Sequence, residues 1–246
     1  MRFVPLTAFF SVSPGHPRAG STRPPPTSTG SHCRGTYNAA MDQIIYLLAV
    51  NAIPLVLAIT LHEAAHGYAA RVFGDRTAEM LGRITLNPVK HIDPLGTLAI
   101  PALTMLVGGF FFGWAKPVPV NMRNLRNPKL DMIWVAAAGP AANLVMAIGW
   151  AIVFKFSDGS AVDAIARAGI AWNVGLMVLN LLPILPLDGG RILAGLLPGP
   201  LSYQYSRLEP YGLFILIGLM VVGVLSLLLK PLFGLAYGLV GALVGI

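Results

Sequence analysis

From residue 41 onward the chain is organised by five apolar stretches separated by shorter polar ones, at about 43–61, 95–112, 132–154, 169–187 and 211–229. A helix needs ~20 mostly apolar residues to cross a bilayer. The first, third, fourth and fifth stretches meet that need, whereas the second is short and broken by Pro101 and by Gly108-Gly109. The last piece, LFGLAYGLVGALVGI, is apolar but only 15 residues long, and the pattern leaves its placement open. No internal repeat stands out. The pattern predicts an all-α integral membrane protein: a polytopic bundle of about four to five transmembrane helices, with the second stretch as a re-entrant or interfacial segment. Residues 116–120, KPVPV, alternate proline with valine and read as a possible short edge strand. An unwound substrate could add to that edge by β-pairing; the plain alternative is a loop.

Composition strengthens the membrane reading. The chain is 55% hydrophobic and 11% charged, against about 25% charged in soluble domains. The net charge of +7 is partly a tail effect, because Arg2, Arg18, Arg23 and Arg34 lie in residues 1–40 without an acid, and residues 41–246 carry +3. Nucleic-acid binding is therefore a poor account of the basic excess. Cys33 is the only cysteine, which excludes an intrachain disulfide and a thiolate metal cluster. Residues 1–40 are rich in Pro, Ser, Thr and Gly, a composition of disorder. Arg-bearing and acid-free, they read either as a targeting segment, though no compact secretory h-region and cleavage site stand out, or as a tail from an upstream start, with Met41 the expected natural start. Residues 41–246 then form one membrane-embedded domain, with its motifs within 42–200.

Three ionisable groups interrupt the first apolar run: AITLHEAAHGYAA, 58–70, contains His62-Glu63-x-x-His66. On a helix, positions i and i+4 share a face, so two imidazoles there can hold one zinc ion at about 2.0–2.1 Å each. Glu63 is placed to act as general base on a metal-activated water. The alternative is a chance match or two quiet core histidines. Against it, an ionisable group inside an apolar span costs about 2.5–3.5 kcal/mol on insertion scales. Catalytic zinc needs a third protein ligand, and Asp188 in NLLPILPLDGGRI, 180–192, is the candidate. Pro183 and Pro186 break the helix there, and Gly189-Gly190 allow tight turning and close approach. A carboxylate at such an embedded helix end is costly unless a cation neutralises it; the alternative is a loop aspartate before a glycine turn. His62, His66, Asp188 and a water would leave an open fourth position, as catalytic zinc sites do.

These residues carry a resemblance. H-E-x-x-H in one span and L-D-G-G in a later one, with AAAGPAANL (136–144) between them, resemble the site-2 protease family of intramembrane zinc metalloproteases over about residues 42–200. The resemblance implies one zinc ion, peptide-bond hydrolysis of a transmembrane protein or peptide within or near the lipid bilayer, ligand roles for His62, His66 and Asp188, and base duty for Glu63. It also implies that Asn143 lies near the active site, orienting substrate or an oxyanion; the alternative is a small-residue packing site with an amide for interhelical bonding. Many relatives carry a PDZ domain, and no stretch here is long or polar enough to be one. Two rival readings are an inactive zinc-binding membrane protein and a metal transporter. A transporter would string polar groups through the whole membrane depth.

The proposed ligands also constrain topology. His62 and His66 end the first stretch and Asp188 ends the fourth, so all three can meet only if one intervening stretch fails to cross; the interrupted second one is the weak member. The loops at 71–93, 114–131 and 188–210 then share the active-site face and hold ten Lys and Arg, against Lys155, Arg167 and Lys230 opposite. The positive-inside rule makes that face cytoplasmic, in a multi-pass protein of the cell membrane. His91 and Asp93, in NPVKHIDPLGT (87–97), read as loop residues or as partners to a zinc histidine. Asn180 reads as an interhelical hydrogen bonder, Arg191 as a partner for headgroups or a carboxylate, and Trp114, Trp134, Trp150 and Trp172 as interface anchors.

Overall fold

The computed structural model describes residues 32–99, 115–159 and 161–246. The α-helices are α1 (His32–Val72), α2 (Thr77–Met80), α3 (Pro128–Lys155), α4 (Ala161–Asn180), α5 (Asp188–Leu196), α6 (Gly199–Ser206), α7 (Gly212–Val221) and α8 (Val224–Val244), among the described residues. Four are long and apolar enough to cross a membrane: Ile45–Val72 of α1, and all of α3, α4 and α8. The architecture is thus the polytopic helical bundle that the apolar pattern predicts.

Helix α3 is the centre of the bundle and packs against α1, α4 and α5. Its Ala147 and Ala151 are fully buried against Ile170, Val174, Met177 and Val178 of α4 and Val240 of α8. Small residues let helix backbones approach where lipid supplies no hydrophobic drive. Gly169 serves the same contact from α4, since a Cβ there would fall 2.4 Å from the Trp150 ring.

Three hydrogen bonds define the faces. The Arg126 amide donates to the Phe73 carbonyl at 3.1 Å, so α1 ends where α3 begins. Lys155 Nζ donates to the Val244 carbonyl at 2.5 Å, which joins the far ends of α3 and α8. The Lys116 amide donates to the His91 carbonyl at 2.9 Å. The chain therefore leaves at residue 91 and is back at the same point by residue 116, without a net crossing between α1 and α3. Most of the expected re-entrant stretch, with Trp114, lies outside the described residues; its start, Pro94–Ala99, is a short π-helical turn.

The apolar pattern misplaces the fourth and fifth stretches. The fourth stretch was expected at 169–187, but α4 spans Ala161–Asn180 and irregular backbone follows, so Asp188 opens a new helix and does not end an old one. The fifth was expected at 211–229, but Gly223, at φ +83°, separates α7 from α8. That left-handed conformation favours glycine, and the spanning helix becomes 224–244, which takes in the terminal piece the pattern left open. Lys230 consequently lies inside α8 and not on the outer face. Residues 116–120 form no strand among the described residues, so the possible edge strand is a loop here.

Candidate metal centre

His62 and His66 lie on one face of α1, six to ten residues before its end, at about 9–15 Å of helix rise. Both are buried, as is Asp188. Asp188 comes to them through the first turn of α5, which sits directly on the backbone of 181–185. A Cβ on Gly189 would lie 2.2 Å from the Leu181 carbonyl oxygen, and one on Gly190 would lie 2.6 Å from the Leu185 nitrogen. The two glycines are thus needed for close approach; neither has a positive φ.

His62 Nε2 and His66 Nε2 are 3.0 Å apart, and Asp188 Oδ2 lies 3.2 Å from the first and 3.4 Å from the second. The rings meet edge to face, at 85° and 4.6 Å between centroids. The outer nitrogens determine the protonation pattern. His66 Nδ1 donates to the Val135 carbonyl at 2.7 Å. His62 Nδ1 faces Asn143 Oδ1 at 2.5 Å. The orientation of the Asn143 amide follows from a chain of donors: its Nδ2 donates to Asn173 Oδ1 at 2.9 Å, and Asn173 Nδ2 donates to the Gly169 carbonyl at 2.8 Å. Asn143 therefore presents oxygen to His62, and His62 Nδ1 carries the proton.

With both Nδ1 atoms protonated, both neutral imidazoles present lone pairs at Nε2. Two nitrogen acceptors and a carboxylate oxygen then converge without a hydrogen between them, and Asp188 Oδ2 is buried without a donor. Such a set repels itself unless a cation binds. The donor atoms of His62, His66 and Asp188 all lie within 4.8 Å of one another and could hold a metal ion. The residues present fit one, and their imidazoles are oriented by outer hydrogen bonds, as metal-ligating histidines are.

Glu63, half-buried, adjoins His62 in α1 close enough for its charge to act on His66, and its Oε2 accepts the Val118 amide at 2.8 Å. Pro117 and Pro119 have no amide hydrogen, so Val118 supplies the one donor of that three-residue run. Asn143 is brought to His62, with both ends of its amide engaged inside the protein. His91 and Asp93 stay in the loop: His91 Nε2 bonds the Thr85 carbonyl at 3.1 Å, and Asp93 Oδ1 accepts the Leu95 and Gly96 amides. The partners of the site histidines are Asn143 and Val135 instead. Asn180 bonds the Leu176 carbonyl of its own helix, not a neighbour's, and Arg191 lies 4.0 Å from Glu209.

Sequence reasoning passed over Gly139. A Cβ there would fall 2.4 Å from His66 Nε2 and 2.6 Å from His62 Cε1, so this glycine is the floor on which both imidazoles rest. Its place in the small-residue run of AAAGPAANL was the available signal. Asn173 and the Val135 carbonyl were also missed; no local pattern marks either.

Fold and site together define an integral membrane protein with a buried centre able to hold a metal. The chain belongs to peptidase family M50, whose model matches residues 50–172, in agreement with the resemblance to the site-2 proteases. It is 38% identical to the Bacillus subtilis protein named "Putative zinc metalloprotease YwhC", over 78% of this chain and 91% of that one. It is 33% identical to the Mycolicibacterium smegmatis protein named "Putative zinc metalloprotease Rip2", over 76% and 74% of the two chains. The Mycobacterium tuberculosis protein of the same name (strain H37Rv) is 30% identical, over 75% and 70%. No solved structure matches the chain.

Proposed function

We propose that this peptidase is a zinc-dependent endopeptidase that cuts membrane-anchored proteins or peptides within or near the bilayer. The observation that carries the reading is the donor-free convergence of His62 Nε2, His66 Nε2 and Asp188 Oδ2. These three residues would hold the zinc; three protein donors are the number that catalytic zinc sites use, with a position left open. Zinc bound there acts as a Lewis acid toward water and the scissile carbonyl. Glu63 takes a proton from the attacking water and returns it to the leaving amine. The Val118 amide holds Glu63 by Oε2, which leaves Oε1 to carry that proton. Asn143 is a positioning residue that keeps His62 in its metal-binding tautomer.

The same reading places the chain in the cell membrane with its active-site face toward the cytoplasm. The loops on the face shared by the end of α1 and the start of α3 hold ten Lys and Arg, against Lys155 and Arg167 opposite, and the positive-inside rule favours the basic face as cytoplasmic. The deciding experiment is Glu63→Gln, with zinc content and cleavage of a transmembrane substrate measured on one preparation. Zinc retained with cleavage down by at least about 100-fold is expected. Undiminished cleavage would remove Glu63 from the reaction, and zinc flux into liposomes that disappears with the same change would make the protein a transporter.

A further inference from the structure

A second concentration of charge lies behind the segment that holds Glu63. A cavity of about 490 Å³ opens between the loop at 81–92 and the segment at 116–119. Its charged lining is Arg83, Lys90 and Lys116, with no acid among the lining residues. Arg83 is only 8% exposed. Its Nη2 donates to the carbonyls of Lys116 at 2.8 Å and Pro117 at 3.3 Å, while its Nε is buried without an acceptor. No carboxylate pairs with Arg83, Lys90 or Lys116 among the described residues; the nearby Glu79 is taken by Arg71 and Arg76. A buried guanidinium with an orphaned donor and no counter-charge is costly unless something anionic completes it.

The surroundings specify the anion. Leu81, Val89 and Ile92 line the same cavity and are 61%, 68% and 41% exposed. The cavity walls also run next to a membrane span: Ile84 and Val118, the chain neighbours of the lining residues Arg83, Pro117 and Pro119, flank Gly67, five residues before the end of α1. That is about 7–8 Å of helix rise from the end of a helix long and apolar enough to cross a membrane. Charge for a phosphate, apolar side chains for chain carbons and a position at the bilayer boundary match an anionic phospholipid. We infer that Arg83, Lys90 and Lys116 form a binding site for the phosphate headgroup of an anionic phospholipid. The bound headgroup would rest on the segment whose Lys116 and Pro117 carbonyls hold Arg83 and whose Val118 amide holds Glu63. The site stands whether or not the protein hydrolyses peptides, because binding alone tests it.

The test uses the full chain, purified and delipidated in detergent and titrated with phosphatidylglycerol, phosphatidylcholine or inorganic phosphate. Bound lipid is read by native mass spectrometry and the thermal midpoint is measured in parallel. Phosphatidylglycerol is expected to bind and to raise the midpoint, with neither effect from phosphatidylcholine. The Lys90→Gln/Lys116→Gln double variant is expected to bind it about tenfold or more weakly. These lysine side chains hold no part of the fold, so this variant decides the matter even if Arg83→Gln fails to fold. Equal binding of the two lipids, or phosphatidylglycerol binding unchanged in the double variant, overturns the inference. Inorganic phosphate or an acidic peptide that binds at these residues and excludes phosphatidylglycerol overturns it as well.

Discussion

Two buried aspartates of this protein face opposite problems. Asp188 turns Oδ2 toward two imidazole lone pairs and receives no donor there. Asp75, fully buried just past α1, is saturated: Oδ1 accepts from the Thr77 amide and hydroxyl and from Asn124 Nδ2, and Oδ2 accepts from the Asn121 amide at 2.6 Å. Asp75 ties the end of α1 to the loop that leads into α3 and needs nothing from outside. Asp188 lacks such donors, and on the proposed reading a cation completes it. A buried carboxylate surrounded by donors is thus a structural anchor, and one surrounded by acceptors marks a binding site.

Exchanging the two tests that contrast most severely. Asp188→Asn or Gly139→Ala should abolish metal retention, measured as metal per protein, and cleavage with it, while the helical fold survives. Asp75→Ala should keep the metal and instead lower thermal stability, because the donors around it lose their acceptor, at about 1–3 kcal/mol. Metal lost from Asp75→Ala with an unchanged midpoint would erase the distinction.

A milder cut removes only the outer support of the site. Asn143→Ala should weaken metal affinity by about 10–100-fold, read by competition with a chelator, with little change in protein yield. Unchanged affinity would mean that the Val135 carbonyl and the Gly139 floor suffice to orient the pair.

The smallest effect is one of pH. Burial works against ionisation of Asp75, but the hydrogen bonds from Thr77, Asn124 and Asn121 outweigh it and hold its pKa below the ordinary 3.8. A carboxyl with a lowered folded pKa stabilises the protein above 3.8 and loses that contribution as pH falls through the folded value. The difference in thermal midpoint between the native protein and Asp75→Ala should therefore be constant near neutral pH and narrow below about pH 4. A gap that widens with acid would contradict the assignment.

What the sequence determined by itself was local. The spacing of His62 and His66 places them on one helical face wherever that helix packs, because a helix repeats every 3.6 residues. Apolar length marked the spans of α1, α3 and α4, and the coincidence of prolines, glycines and a carboxylate marked Asp188. Tertiary structure decided everything that depends on two distant segments meeting: the Val135 and Asn143 partners of the imidazoles, the relay through Asn173, the clearance at Gly139 and the Val118 amide on Glu63. It also decided where α8 starts, since residues on both sides of Gly223 are apolar and the left-handed backbone there separates the two helices. Hydropathy records how much surface a segment can give to lipid or to a core; it does not record which atom of a neighbouring helix stands 3 Å away.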